Sequence, residues 1–112
     1  MPPPLPPNAS LAELAAVLGV DNVQSLVRTY LGEFPATFAQ LSGGERRTRH
    51  RIAHSMKSSA RVMGARALSD HMAALEARLA RPDGADVSPQ DLAVITAHFE
   101  AIAPTLRAFA GA

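Results

Sequence analysis

The sequence lacks several residue types, and each absence excludes a class of protein. Its 112 residues include no cysteine, which excludes a disulfide framework, a thiolate zinc site and a cysteine nucleophile. There is no tryptophan and only one tyrosine, and no sustained alternation of apolar and polar residues indicates β-strands. No run of about 18 apolar residues is present, so we expect no membrane-spanning helix. The proline-rich first seven residues lack the basic and apolar regions of a signal peptide, so we expect a cytoplasmic location.

Alanine, by contrast, is abundant, with 22 residues, and it is the strongest helix former. The length suits one domain, which we place at residues 10–112, after a flexible proline-rich arm at residues 1–9. Glycine and proline cluster between segments of helical periodicity, and these segments predict a short first helix and four longer ones. Because each long helix has one apolar face, we expect an all-α protein, an antiparallel four-helix bundle with a short extra N-terminal helix.

Local signals predict where the helices begin. The run Ser10-Leu-Ala-Glu13 has the spacing of a capping box, and Asn8 is an alternative cap for the same helix. Asp21-Asn-Val-Gln24 offers a second box for the next helix. Ser88-Pro-Gln-Asp91 combines a cap, a proline at the first helical position and an acid at the third, which predicts the start of the last helix.

Apolar stripes predict which residues form the core. The fourth helix carries an apolar residue every three or four positions, at Leu68, Met72, Leu75 and Leu79. The third helix, predicted over residues 45–63, is expected to face the core with Ile52, Met56, Ser59, Ala60 and Met63.

Positive charge is concentrated in the third helix. Between Glu45 and Arg66 there are seven cations and one acid, a net charge of +6, whereas the whole chain carries +1, so the other residues carry −5. Like charges three and four residues apart destabilise a helix by a few tenths of a kcal/mol per pair. A face that is kept despite this cost indicates a negatively charged partner.

His54 lies at the centre of this face. At about 100° per residue, six polar residues fall within about 60° of His54, while the core stripe falls on the opposite side. We therefore expect an exposed imidazole, not a core histidine. The six residues are Arg47, His50, Arg51, Lys57, Ser58 and Arg61. Lys57 is the only lysine in the chain.

The segment from His54 to Gly64 has an apolar residue at +2, lysine at +3, small residues from +4 to +6 and glycine at +10. This pattern resembles the signature of histidine-containing phosphotransfer (HPt) domains, the intermediate carriers of multistep phosphorelays, and the resemblance extends over about residues 21–110. It implies a four-helix bundle in which His54 is the phosphoacceptor and Lys57 stabilises the phosphoryl group. At Ser58 the family often has glycine.

The same resemblance implies the partners and the docking surface. The partners would be receiver domains of response regulators or of a hybrid histidine kinase, and these domains hold the Mg²⁺. The chain itself is expected to bind no metal or cofactor, to have no kinase activity of its own and to be a monomer. Ser58 and Gly64 would allow close approach, within a docking rim formed by Arg47, His50, Arg51 and Arg61.

Three other interpretations use the same residues. A basic helical nucleic-acid-binding module would explain the charge between Arg46 and Arg61, but no aromatic residue interleaves the patch. An adaptor bundle would keep the docking face without being phosphorylated. His50 and His54 have the spacing of a metal pair, yet the surrounding cations disfavour zinc. We expect neither nucleic acid nor a membrane as a partner.

Overall fold

A computed structural model describes residues 4–111 of the chain. Across these residues the structure consists of five α-helices and one short 3₁₀ turn, without β-strands. The helices are α1 (Ala9–Leu18), α2 (Val20–Ala39), α3 (Arg46–Val62), α4 (Arg66–Ala80) and α5 (Pro89–Ala110), and the 3₁₀ turn is Gln40–Ser42. The prediction of an all-α fold is confirmed. None of the helices within residues 4–111 is long and apolar enough to cross a membrane.

The helix starts follow the sequence signals in part. Ser88 and Asp91 form the complete capping box predicted at the start of α5. At α1 the cap is Asn8, whose side chain accepts a hydrogen bond from the Leu11 amide at 2.9 Å. The helix therefore begins at Ala9, inside the segment assigned to the arm. The box predicted at Asp21 is not used, because α2 starts at Val20, directly after Gly19 in a positive-φ conformation.

The two longest helices, α2 and α5, run antiparallel and form the frame of the bundle. The rings of Phe34 and Phe99 stack at one end with centroids 3.7 Å apart, and Val27 and Leu106 are fully buried at the other. The hairpin of α3 and α4 covers the first end and encloses one part of the core. Helix α1 covers the second end and encloses the other part. Each end of the frame therefore has its own apolar cover.

The buried residues confirm one predicted stripe and correct the other. All four predicted core residues of α4 are buried. In α3, Met56, Ala60 and Met63 are buried and Ile52 is half-buried, as expected, but Ser59 is exposed and Ala53 is buried in its place. The prediction for Ser59 is wrong because α2 does not close over that side of α3, where a cavity remains between the two helices.

Candidate functional site

Helix α3 holds His54 on the outer surface of the bundle. Ala53, directly before His54, and Met56, two residues after it, are buried, whereas 59% of the His54 side chain is exposed. Since consecutive helix residues differ by about 100°, anchoring Ala53 and Met56 in the core turns the imidazole outward. The exposure predicted for His54 is confirmed.

A carboxylate from the neighbouring helix, Glu76, lies against the imidazole. One oxygen of Glu76 is within hydrogen-bond distance of His54 Nδ1, and the other accepts a hydrogen bond from Lys57 Nζ at 2.5 Å. The side chain of Glu76 is only 16% exposed. A single carboxylate therefore joins the histidine and the lysine, which lie one turn apart on α3.

Contacts between α3 and α4 hold Glu76, His54 and Lys57 in this arrangement. Leu75, next to Glu76 in the chain, is fully buried. Ser69 donates a hydrogen bond to the backbone carbonyl of Lys57 at 3.1 Å and ties the beginning of α4 to α3. Sequence reasoning counted only one acid near the cationic face and missed Glu76, because the contact depends on how α4 packs against α3.

The electrostatics of the cluster favour an ionised carboxylate. The hydrogen bond from Lys57 holds the pKa of Glu76 below its usual range, and the contact with His54 acts in the same direction. An ionised carboxylate can only accept hydrogen bonds, so the proton of a neutral imidazole belongs on Nδ1. The lone pair of Nε2 is then available to act as a nucleophile.

The cations of α3 divide into two groups with different environments. Arg47, Arg51 and Arg61 are exposed on the face around His54, and His50 is half-buried beside them. Arg46 instead donates hydrogen bonds to backbone carbonyls in the last turn of α4 and in the loop after it. These are the carbonyls of Arg78, Leu79, Arg81 and Gly84.

Arg49 is also engaged within the fold. It forms a two-pronged ion pair with Asp86, at 2.8 and 3.1 Å, and its guanidinium also reaches the carbonyls of Gly43 and Gly44. Arg46 and Arg49 thus fasten the loops at one end of the hairpin. Part of the positive charge that the sequence places in α3 is structural.

The two small residues of the predicted docking surface have different positions. Ser58 is exposed on α3, one turn from His54. Gly64 follows the end of α3, ten residues and about 15 Å along the axis from His54. It has φ +75°, and a Cβ there would lie 2.3 Å from the side chain of Asn8. Asn8 in turn donates a hydrogen bond to the Met63 carbonyl at 2.9 Å. The turn and the approach of Asn8 explain the glycine without a partner.

The remaining histidines do not assemble a metal centre. Among residues 4–111 no three histidine, aspartate or glutamate side chains are grouped as metal ligands. His71 is partly buried, and its Nε2 lies 3.1 Å from Asp91 Oδ1. His98 is half-buried, with its ring centroid 6.4 Å from that of His71.

The structure thus defines a small helical bundle that presents one imidazole to solvent, oriented by a carboxylate and accompanied by an ammonium group. The Hpt domain model matches residues 25–105, most of the chain. The chain therefore belongs to the histidine-containing phosphotransfer domain family. Hpt domains carry phosphoryl groups in phosphorelay signalling and interact with receiver domains. No curated protein and no solved structure is significantly similar to this chain.

Proposed function

We propose that His54 accepts a phosphoryl group from the aspartyl phosphate of one receiver domain and transfers it to the aspartate of another. The observation that carries this proposal is the contact of the exposed His54 ring with Glu76 through Nδ1, which leaves Nε2 directed away from the carboxylate. The geometry supplies a nucleophile that a second protein can reach.

The transfer begins with attack of the Nε2 lone pair on phosphorus. A P–N bond forms, the P–O bond to the donor aspartate breaks, and the aspartate leaves as a carboxylate with the bonding electron pair. The imidazole becomes positively charged and keeps its Nδ1 proton, which Glu76 continues to accept as a hydrogen bond. In the return step an acceptor aspartate attacks phosphorus, the P–N bond breaks, and neutral His54 is restored.

Lys57 and Glu76 support this exchange without taking part in bond making. The Lys57 ammonium lies one turn from His54 and can neutralise phosphoryl oxygens as a compact point charge. Glu76 stabilises the charged ring and fixes its orientation. The receiver domain supplies the Mg²⁺ and the aspartate, so this chain needs no nucleotide site and acts as a carrier, not as a kinase.

The cationic face also fits this type of partner. Arg47, Arg51 and Arg61 surround the imidazole and favour encounter with a protein whose pocket is acidic. Nucleic-acid binding is less well supported, because Arg46 and Arg49 are engaged with the loops after α2 and α4.

The proposal is tested by incubating the full chain with a panel of receiver domains phosphorylated by acetyl phosphate. We expect an acid-labile, base-stable phosphate on the wild-type chain and on His98→Gln, and none on His54→Gln. His98→Gln is the matched control, since it removes a half-buried histidine from α5 that has no role in the proposal. Equal labelling of His54→Gln, or no labelling of the wild type by any receiver, would refute the proposal.

Lys57→Ala separates the role of the ammonium from that of the ring. We expect slower phosphotransfer or a shorter lifetime of the phosphohistidine, with an intact bundle, because Lys57 is half-buried and is not one of the core residues. The measurements are transfer kinetics and helical circular dichroism. Unchanged kinetics would contradict the role given to Lys57.

A further inference from the structure

A groove lies between α2 and α3, and Ser55, the residue after His54, lines it. It has a volume of about 170 Å³. Tyr30, Phe34 and Met56 form its apolar floor, and Ser55, Ser59 and Glu33 lie at its edge. The floor is uncharged at neutral pH, since tyrosine ionises only near pH 10 and burial raises the pKa of Tyr30 further, to about 12.

The groove is open because two short side chains stand where larger ones would close it. Ser55 and Ser59 are exposed, although the next residues along α3, Met56 and Ala60, are buried. Protein interiors are normally packed without gaps of this size. An aliphatic residue at position 59 would fill the space from α3, so the pair of serines keeps apolar surface of the core accessible.

The groove lies within reach of a partner that docks at His54. Ser55 follows His54 in the chain and is turned about 100° from it, and Ser59 lies about 7.5 Å from His54 along the helix axis and about 140° around it, towards α2. A standard protein interface covers about 800 Å² on each partner, which corresponds to a disc of about 16 Å radius. A receiver domain that docks at His54 and contacts the α2 side of α3 therefore reaches the groove as well.

We propose that this groove receives one apolar side chain of the receiver domain and thereby contributes to the choice of receiver. The inference rests on the proposed function. A cavity of about 150 Å³ accommodates a benzene ring, so the groove suits a single phenyl or branched aliphatic side chain. A second copy of this chain is a poorer occupant, because it would bring the exposed Arg51 and Arg61 of two molecules towards each other. An apolar residue with acidic neighbours fits the charge on the α3 side.

The inference is tested by filling the groove with a larger side chain of the protein itself. Ser59→Leu places an aliphatic side chain in the groove, and Ser59→Ala is the matched control that leaves it open. Since the leucine adds apolar burial to the bundle, we expect its resistance to urea to be equal to or above that of the wild type. Affinity for the receiver that transfers fastest is measured in a His54→Gln background, and transfer itself in the His54 background.

We expect Ser59→Leu to weaken receiver binding by about tenfold or more, the affinity equivalent of one lost apolar anchor, and Ser59→Ala to leave it unchanged. If Ser59→Leu bound the receiver with wild-type affinity, the proposal that the groove receives a receiver side chain would be refuted. Labelling of His54 would still support the carrier function in that case. Absence of His54 labelling from the wild type would remove both proposals. A concentration-dependent dimer that Ser59→Leu abolishes would assign the groove to a second copy instead. Ser55→Leu fills the same groove and replaces Ser59→Leu if that variant does not fold.

Discussion

Replacing Glu76 by glutamine probes the orientation of the His54 imidazole. The wild-type carboxylate contacts both His54 Nδ1 and Lys57 Nζ. The amide of Glu76→Gln has one accepting oxygen and one donating nitrogen, so it accepts a hydrogen bond from only one of the two groups and presents a donor to the other. The Lys57 ammonium loses its counter-charge in either orientation of the amide, and one of the two groups also loses its hydrogen-bond acceptor.

The structure sets the scale of the effect. Hydrogen bonds to charged groups contribute about 1.5–3 kcal/mol, and the 59% exposure of His54 places this contact at the low end of that range. A loss of about 1.4 kcal/mol corresponds to a tenfold change, so we expect phosphotransfer to slow by about tenfold. The free energy of unfolding is expected to change by less than about 1 kcal/mol, because the amide keeps the shape of the carboxylate and one of its two hydrogen bonds.

The assay compares transfer rates and the ¹⁵N shifts of the two imidazole nitrogens, which report where the proton lies. Asp70→Asn is the matched control, since it removes an exposed carboxylate from the same helix, six residues and about 9 Å away, and it should change neither quantity. If Glu76→Gln transfers at the wild-type rate with unchanged nitrogen shifts, the carboxylate does not orient the ring and this reasoning is refuted.

Two further predictions concern the end of the hairpin. Gly84→Ala should destabilise the fold by about 1–3 kcal/mol in urea denaturation, because its Cβ would lie 2.0 Å from the carbonyl oxygen of Arg78. Gly43→Ala is the control, since Gly43 lies in open space. Equal stability of the two variants would contradict the prediction. Asp91→Asn should lower the free energy of unfolding by about 2 kcal/mol, the value of a hydrogen bond to a charged group, since Asp91 is buried and accepts hydrogen bonds from Arg78. The exposed Asp83→Asn should change it little. The Arg78 guanidinium lowers the pKa of Asp91, so this stabilisation is complete above the unfolded pKa of about 3.9 and is lost as the pH falls below it. The difference between wild type and Asp91→Asn should shrink in acid, and a difference independent of pH would refute the charge as its cause.

The parts of this molecule that were predictable from sequence are those governed by local rules. Helical periodicity places His54 opposite the residues that enter the core, and the structure confirms its exposure. The box formed by Ser88 and Asp91 depends on residues three apart, and it forms as predicted. The four residues of the apolar stripe of α4, from Leu68 to Leu79, are all buried. A helix that lies against a core turns its single apolar face towards that core.

The parts that were not predictable depend on contacts between distant segments. Glu76 lies 22 residues after His54, and nothing in its own helix distinguishes it from an exposed acid. Only the packing of α4 on α3 brings it to the imidazole. Ser59 has the periodicity of a core residue, but its exposure depends on whether α2 approaches, which the pattern within α3 does not report.

One helix, α3, can carry this much positive charge because some of its cations are paired within the fold and others are exposed. Arg46 and Arg49 are compensated by loop carbonyls and by Asp86, and Lys57 is compensated by Glu76. The repulsion that remains on the outer face comes from Arg47, Arg51 and Arg61, which are spread along the helix around His54. Compensation of the first group lowers the energetic cost of keeping the second group exposed on the outer face. The positive charge of α3 is thus divided between arginines that fasten the ends of the hairpin and arginines that stay exposed around His54.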